Sequence, residues 1–462
     1  MQGLESVLFP IVRNINTYLS DYILVFLLLG VGLWYSVQTR FVQIRCFGEG
    51  MRRMFGSLSL NGKKHDSGMS SFQALATAVA AQVGTGNVIG AASAILIGGP
   101  GAIFWMWITA FLGMATIYAE AVLALETRRV DEKGNVYGGP AYYIKKAFTG
   151  SFGSFLADFF SVAIILALGF MGCMVQSNSI GSTMESAFGI PSWIMGAVLV
   201  VACGFVFIGG VQRLASVVEK IVPLMAVLFI VASLVVLIVR WEHIPATFGM
   251  IFQYAFEPQA IIGGGFGEAF KIVVSQGVKR GLFSNEAGMG STPHAHAQAN
   301  VSCPHEQGVV AMIGVFMDDL VVLTLNALVI ISTMYTADGP LYTGVIPANI
   351  GVANLAQNAF GSVFGYEIGS AFIAVSLLFF AFSTVLGWNL FGKINVMRIF
   401  ARKRRTFVVT VYNLLALVFI FVGTCVSNDF VWELTDMFNN LMVLPNVVAL
   451  FALTAMVKKH LP

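Results

Sequence analysis

Residues Ala80 to Asn87 read Ala-Ala-Gln-Val-Gly-Thr-Gly-Asn, which sets three polar side chains and two glycines halfway along an otherwise apolar stretch. Glycine leaves helical geometry cheaply, and backbone that unwinds inside an apolar run exposes carbonyls and amides able to coordinate an ion or a carboxylate. The same composition would also serve a kink packed through small residues. A second segment of this kind runs from Gly263 to Pro293, GGGFGEAFKIVVSQGVKRGLFSNEAGMGSTP. Its Glu268, Lys271, Lys279, Arg280 and Glu286 could hardly face lipid, so it must lie inside a bundle, line water or stand partly outside the membrane. Its break could fall at Ser275 to Gly277 or at Phe283 to Gly290. The second is favoured, because Ser284 to Gly290 is richer in glycine and hydrogen-bonding groups.

The elements that would hold these segments follow from composition. The chain of 462 residues is 57% hydrophobic and 11% charged, with a mean hydropathy of +0.81, which only a lipid-solvated protein sustains. A helix needs about 20 apolar residues to cross a hydrocarbon core. Eleven candidate spans are expected: Asp21 to Tyr35, Phe72 to Ile97, Ala102 to Leu125, Phe155 to Ser177, Ile194 to Phe207, Val217 to Val239, a weak one at Ile261 to Gly290, Val309 to Ser332, Ile368 to Trp388, Phe407 to Cys425 and Phe438 to Val457. The runs are continuous, unlike the alternating strands of a β-barrel. Cys46, Cys173, Cys203, Cys303 and Cys425 show no CxxC spacing, so neither a disulfide framework nor a zinc motif is indicated. Met1 to Ser20 lacks the basic start and apolar run of a cleavable signal.

Lysine and arginine cluster in alternate loops. Arg40 to Lys64, Arg128 to Lys146, Arg213 and Lys220, Lys393 to Arg405, and Lys458 with Lys459 would share the cytoplasmic side, which sets the amino terminus outside and the carboxyl terminus inside. Arg240 is a mild exception. The net charge of +3 thus reports orientation rather than nucleic-acid binding. If each broken segment opens a repeat, the chain divides into an extra helix and basic loop (1–69), a first five-helix repeat (70–240) and a second (241–462), the inverted-repeat plan of many secondary transporters.

At Gly98 the chain reads GGPGAIFWMWITAFLG, which resembles the sodium:alanine symporter signature of the alanine/glycine:cation symporter family. VGTGNVIGAASA from Val83, GNVYGGPAYYI from Gly134 and GLFSNEAGMGS from Gly281 are similar to that family as well, so the resemblance covers most of the chain. It implies an all-α, leucine-transporter-type five-plus-five inverted repeat with one additional amino-terminal helix. It further implies sodium-coupled uptake of alanine or glycine across a bacterial or archaeal inner membrane, with sodium as coupling ion and no cofactor. Phe104, Trp105 and Trp107 within the signature are more often anchors or packing than ligand contacts.

For a zwitterionic substrate, the start of the distal half-helix at Gly84, Thr85, Gly86 and Asn87 would meet the carboxylate with amides and a positive dipole end. Gln82 and the carbonyls around Phe283, Ser284 and Asn285 would accept from the ammonium. Sodium, a hard cation, prefers oxygen ligands. The hydroxyls of Ser383 and Thr384 would, by similarity to the leucine-transporter fold, sit opposite the Ala80 and Val83 carbonyls, although both could instead bond to the preceding helical turn. Phe170, Met171, Phe283 and Trp388 are candidate walls, and Gln176 is a polar candidate. Glu120, Asp318 and Asp319 are ionisable residues inside spans; either aspartate could carry a coupled proton, or all three could be buried structural groups.

Other readings carry less. His294-Ala295-His296 with Cys303, His305 and Glu306 fits no metal motif and reads as a polar inside loop. Gly84 to Gly90 lacks the βαβ context of a dinucleotide loop, and no Walker sequence is present. A gated channel would share the helices and orientation, yet two matched breaks argue for alternating access. An enzyme would need a nucleophile, a metal set or paired carboxylates, and none is convincing. No obligate protein partner is indicated.

Overall fold

Hydrocarbon offers the backbone no partner, so the apolar runs close their own hydrogen bonds as helices. The computed structural model describes residues 2–56, 77, 79, 82–131, 136–258, 265–400 and 405–462. Seven helices among these are long and apolar enough to cross a membrane: α1 (Ser6–Gln38) and, later in the chain, Ala102–Thr127, Gly150–Phe188, Pro304–Met334, Tyr366–Ile399, Thr406–Gly423 and Asn428–Ala452. A bent pair, Pro223–Val239 with Trp241–Phe256 at 81°, makes up to eight. Gly86–Gly98 and Ser192–Ile208 are apolar but shorter, and Phe266–Asn285 is a 20-residue helix whose charges keep it below that threshold.

In chain order, α2 is Phe47–Gly56, α3 Gly86–Gly98, α4 Ala102–Thr127, α5 Gly150–Phe188 and α6 Ser192–Val239. There follow α7 Ile244–Phe256, α8 Phe266–Asn285, α9 Pro304–Met334, α10 Tyr366–Ile399, α11 Arg405–Gly423 and α12 Asn428–Ala452. As one straight rod, the 48 residues of α6 would measure about 72 Å. Its two ends instead meet the same end of the bundle. A Cβ on Gly196 would reach Thr424 beyond the end of α11, and Arg240 binds the Ser332 carbonyl near the end of α9.

The opposite end gathers the basic loops. Arg128 donates to the Ala297 and Ala299 carbonyls, Arg398 pairs with Asp158 at 2.9 Å, and Lys458 reaches Gln38 at 3.2 Å. A two-residue antiparallel hairpin, Arg129–Val130 with Val136–Tyr137, lies beside Arg128.

Small residues let the central helices approach closely. On α8, Gly277 and Gly281 lie one turn apart and face α4: a Cβ at Gly277 would stand 2.6 Å from the Ala102 carbonyl, and one at Gly281 3.3 Å from Thr109 Cβ. The glycine of the Ser275 to Gly277 alternative therefore serves packing, and α8 runs through it unbroken. The signature aromatics also pack: Phe104 lies 5.8 Å from Phe252 and 5.2 Å from Phe256 of α7, and Trp107 lies 6.2 Å from Phe248.

Two expectations about elements need correction. The helix expected from Phe438 begins at Asn428. Its first turns carry Thr435, Asp436, Asn439 and Asn440 into the bundle interior, a polarity that hides them from a hydropathy reading. His294 and His296 do not form a solvated loop. Both are buried, and His294 is stacked between Phe160 and Phe391.

Candidate functional site

α8 ends at Asn285, where Glu286 takes a left-handed conformation with φ 57°, and the chain turns through Gly288 and Gly290, both with positive φ. Facing it, residues Val83 and Gly84 are non-helical, and α3 opens on a π-helical turn, Gly86–Gly90. The two interruptions touch. A Cβ on Gly86 would stand 2.8 Å from Ser284 Cα and 3.2 Å from its amide nitrogen, so glycine is what admits this backbone contact. Ala80 and Ala81 lie outside the described residues.

Polar side chains bind the two breaks to one another. Gln82 Nε2 donates to the Asn285 carbonyl at 2.7 Å. Asn87 Nδ2 donates to Asp318 Oδ1 at 2.8 Å, and Ser284 Oγ donates to Asp318 Oδ2 at 2.9 Å. Asn285 Nδ2 reaches Asp319 Oδ2 at 2.7 Å, and Asn326 Nδ2 donates to the Asn87 carbonyl at 2.9 Å. Asp318 and Asp319 project from another π-helical turn, Phe316–Leu323 within α9, a distortion that often marks functional sites. All of these side chains are buried, so the arrangement is closed to solvent.

Of the amides expected to meet a carboxylate, that of Gly84 donates to Asn87 Oδ1 at 3.1 Å and that of Thr85 to Gln176 Oε1 at 3.2 Å. Thr85 Oγ1, Gln176 Nε2, Asn326 Oδ1 and Asp319 Oδ1 are buried without a partner. Such atoms are costly to leave unmet, by about 1–3 kcal/mol each, and a bound polar molecule would meet them.

The expected walls divide. Trp388 is fully buried, donates from Nε1 to Glu286 Oε1 at 2.6 Å and meets Phe283 edge-on at 5.7 Å. Phe283 in turn lies 4.6 Å from Trp432, against which Arg280 stacks at 4.4 Å. Met171 is partly buried against the core. Phe170 makes its ring contacts elsewhere, 4.8 Å from Phe419 and 5.6 Å from Tyr412 of α11. The expected cation hydroxyls also divide. Thr384 Oγ1 lies 3.5 Å from the Val83 carbonyl and 3.1 Å from that of Phe380, whereas Ser383 Oγ donates to Phe380 at 2.8 Å.

A model of the sodium:alanine symporter family matches residues 5–462. The chain belongs to that family. It is 37% identical over 448 residues to the sodium/alanine symporter AgcS of Methanococcus maripaludis, a match covering 97% of this chain and 95% of the relative. It is 38% identical over 446 residues to YrbD of Bacillus subtilis, provisionally named a sodium/proton-dependent alanine carrier protein, covering 96% and 89%. The crystal structure of MhsT in complex with L-phenylalanine superposes with a TM-score of 0.56 at 14% identity, over 85% of this chain and 99% of MhsT. The fold is therefore the leucine-transporter type, and this member of the symporter family is a multi-pass membrane transporter rather than an enzyme.

Within this symporter, the central position of Asp318 was not legible in the sequence. Two adjacent acids in an apolar span are a functional signal, but nothing in their spacing says that they face Asn87 and Ser284, 231 and 34 residues away in the chain. Glu120 is also engaged: it accepts from the Gly288 and Gly290 amides at 3.0 and 3.1 Å and from Asn446 at 2.7 Å, and so holds the turn that follows the second break.

Proposed function

We propose that this chain carries alanine or glycine into the cell together with sodium by alternating access, through eleven spans of a bacterial or archaeal inner membrane with the amino terminus outside. The observation that carries the reading is the buried meeting of two interrupted helices, cross-linked through Gln82, Asn87, Ser284 and Asp318. Unwound backbone at the middle of a bundle is tolerated where it lines a site, and that is where transporters of this plan hold substrate.

The substrate carboxylate would take the Gly84 and Thr85 amides in place of the weaker amide oxygens of Asn87 and Gln176, with Gly86 admitting the close approach. Gln82 and the carbonyls of Phe283, Ser284 and Asn285 would receive the ammonium. Phe283 and Trp388, held by Glu286, would bound the side chain and leave room for little more than a methyl group; Met171 and Phe170 would lie farther out. Sodium would lie among the Ala80 and Val83 carbonyls and the Thr384 and Ser383 hydroxyls, with Thr384 the nearer in this conformation. Hydroxyls and carbonyls suit a monovalent ion that must also be released.

Labelled alanine uptake into proteoliposomes tests the proposal, with an inward sodium gradient set against potassium and against an imposed proton gradient. Accumulation above equilibrium with sodium alone supports it. Accumulation driven by protons alone would move the coupling to Asp318 and Asp319. Mere equilibration with any cation would indicate a channel or uniporter.

A further inference from the structure

α2 follows the first span and packs on the start of α9 at the basic end of the bundle. Cys46 immediately precedes α2, Glu49 lies in its first turn, and His305 lies in the first turn of α9. One ligand atom from each, a thiol sulfur, a carboxylate oxygen and a ring nitrogen, falls within 4.8 Å of the others. We propose that Cys46, Glu49 and His305 form a binding site for a thiophilic divalent cation of the zinc class.

The surroundings orient these atoms inward. His305 has its Nδ1 bonded to Tyr118 at 2.8 Å, which leaves Nε2 facing Glu49 Oε2 at 3.3 Å. Glu49 has its other oxygen held by Arg53 Nε at 2.7 Å. Metal-binding imidazoles and carboxylates are oriented in the same way, by partners on the atoms pointing away from the metal. With Nδ1–H donating to the tyrosine oxygen, the tyrosine hydroxyl remains free to donate to the His460 carbonyl at 3.5 Å.

Charge and access agree with the assignment. Arg53 is balanced by Glu306 at 3.2 Å, so the Glu49 carboxylate and a Cys46 thiolate together neutralise a doubly charged cation, and binding releases the thiol proton. Cys46 and His305 are buried, while the Glu49 side chain is 35% exposed and opens a way in. Tetrahedral zinc places its ligand atoms roughly 3.3–3.8 Å apart, so the three side chains need close by only about an ångström. Water would take the fourth position. The bound ion would pin α2 to the helix that carries Asp318. An imidazole–carboxylate ion pair alone would account for His305 and Glu49, but it assigns no part to the sulfur.

The full-length protein, purified in detergent and stripped with a chelator, is titrated with cobalt(II) as a spectroscopic probe and then with zinc. One cobalt per chain, with a sulfur-to-cobalt charge-transfer band that zinc displaces, is expected. Cys46→Ser should abolish the band, Cys303→Ser should leave it, and Tyr118→Phe should weaken binding by roughly 10–100-fold. Glu49→Gln, a near-isosteric change, should weaken zinc binding at least about tenfold and serves where Cys46→Ser does not fold. Absence of the band in the wild type, its persistence in Cys46→Ser, or unchanged zinc affinity in Glu49→Gln would overturn the proposal.

Discussion

Asn87 and Asp318 are joined side chain to side chain at 2.8 Å, and the second oxygen of the same carboxylate takes the Ser284 hydroxyl at 2.9 Å. One carboxylate on α9 therefore holds both interrupted segments. Any motion that separates the segments must break or carry along this linkage.

Asp318→Ala leaves the Ser284 hydroxyl buried without its acceptor and leaves Asn87 Nδ2 only its longer bond, 3.2 Å, to the carbonyl of residue 318. An unmet buried donor costs about 1–3 kcal/mol, which expressed in substrate affinity is roughly five- to 150-fold. Equilibrium binding of labelled alanine to the purified variant should show a loss of that size; unchanged affinity would remove Asp318 from the site.

Gly86→Ala should abolish uptake, because its Cβ would meet the Ser284 backbone at 2.8 Å and neither segment can yield without parting from the other. Gly249→Ala, where no atom lies within 4 Å of the added carbon, should transport normally. Initial uptake rates of the two variants, matched for inserted protein, give the comparison.

Thr384→Ala should raise the sodium concentration for half-maximal uptake more than Ser383→Ala does. Thr384 faces the Val83 carbonyl at 3.5 Å, while Ser383 bonds only to its own helix among the contacts described. Equal sodium dependence in both variants would remove the distinction.

The breaks were readable because glycine and amide side chains inside apolar runs have few other uses, and the first of them lies beside the family signature at Gly98. Charges were less readable. Arg280, one of the charges that left open whether the segment from Gly263 lies inside the bundle, lines water or stands partly outside the membrane, is buried against Asp436 at 3.3 Å, a residue 156 positions away. A hydropathy reading sees the cost of each charge and cannot see its partner. Phe170 shows the same limit from the apolar side, since a phenylalanine in an apolar span gives no hint of whether it faces the site or Phe419.

At the end opposite the basic loops, Arg240 pairs with Asp338 at 2.6 Å and donates from Nε and Nη2 to the Ser332 carbonyl at 3.0 and 2.8 Å. The arginine holds the Asp338 carboxyl well below the usual carboxylate range. A depressed folded value stabilises above the unfolded value and is lost as pH falls below about 4. The Asp338 side chain is 56% exposed, so solvent screening limits the pair to at most about 1 kcal/mol. Thermal melts should show Asp338→Asn slightly destabilised at neutral pH, with the difference from wild type shrinking below about pH 4. Arg240→Ala should cost more, because it also uncaps the Ser332 carbonyl.

Sodium-coupled transport through this fold requires the buried junction to bind substrate and sodium together. Labelled alanine binding to the purified protein, measured while sodium is replaced by potassium at constant ionic strength, tests this without any membrane gradient. Saturable binding that rises with sodium and disappears in potassium is predicted, with Asn87→Ala binding little alanine in either. Equal alanine binding in potassium, or sodium-dependent binding that Asn87→Ala leaves intact, would contradict it.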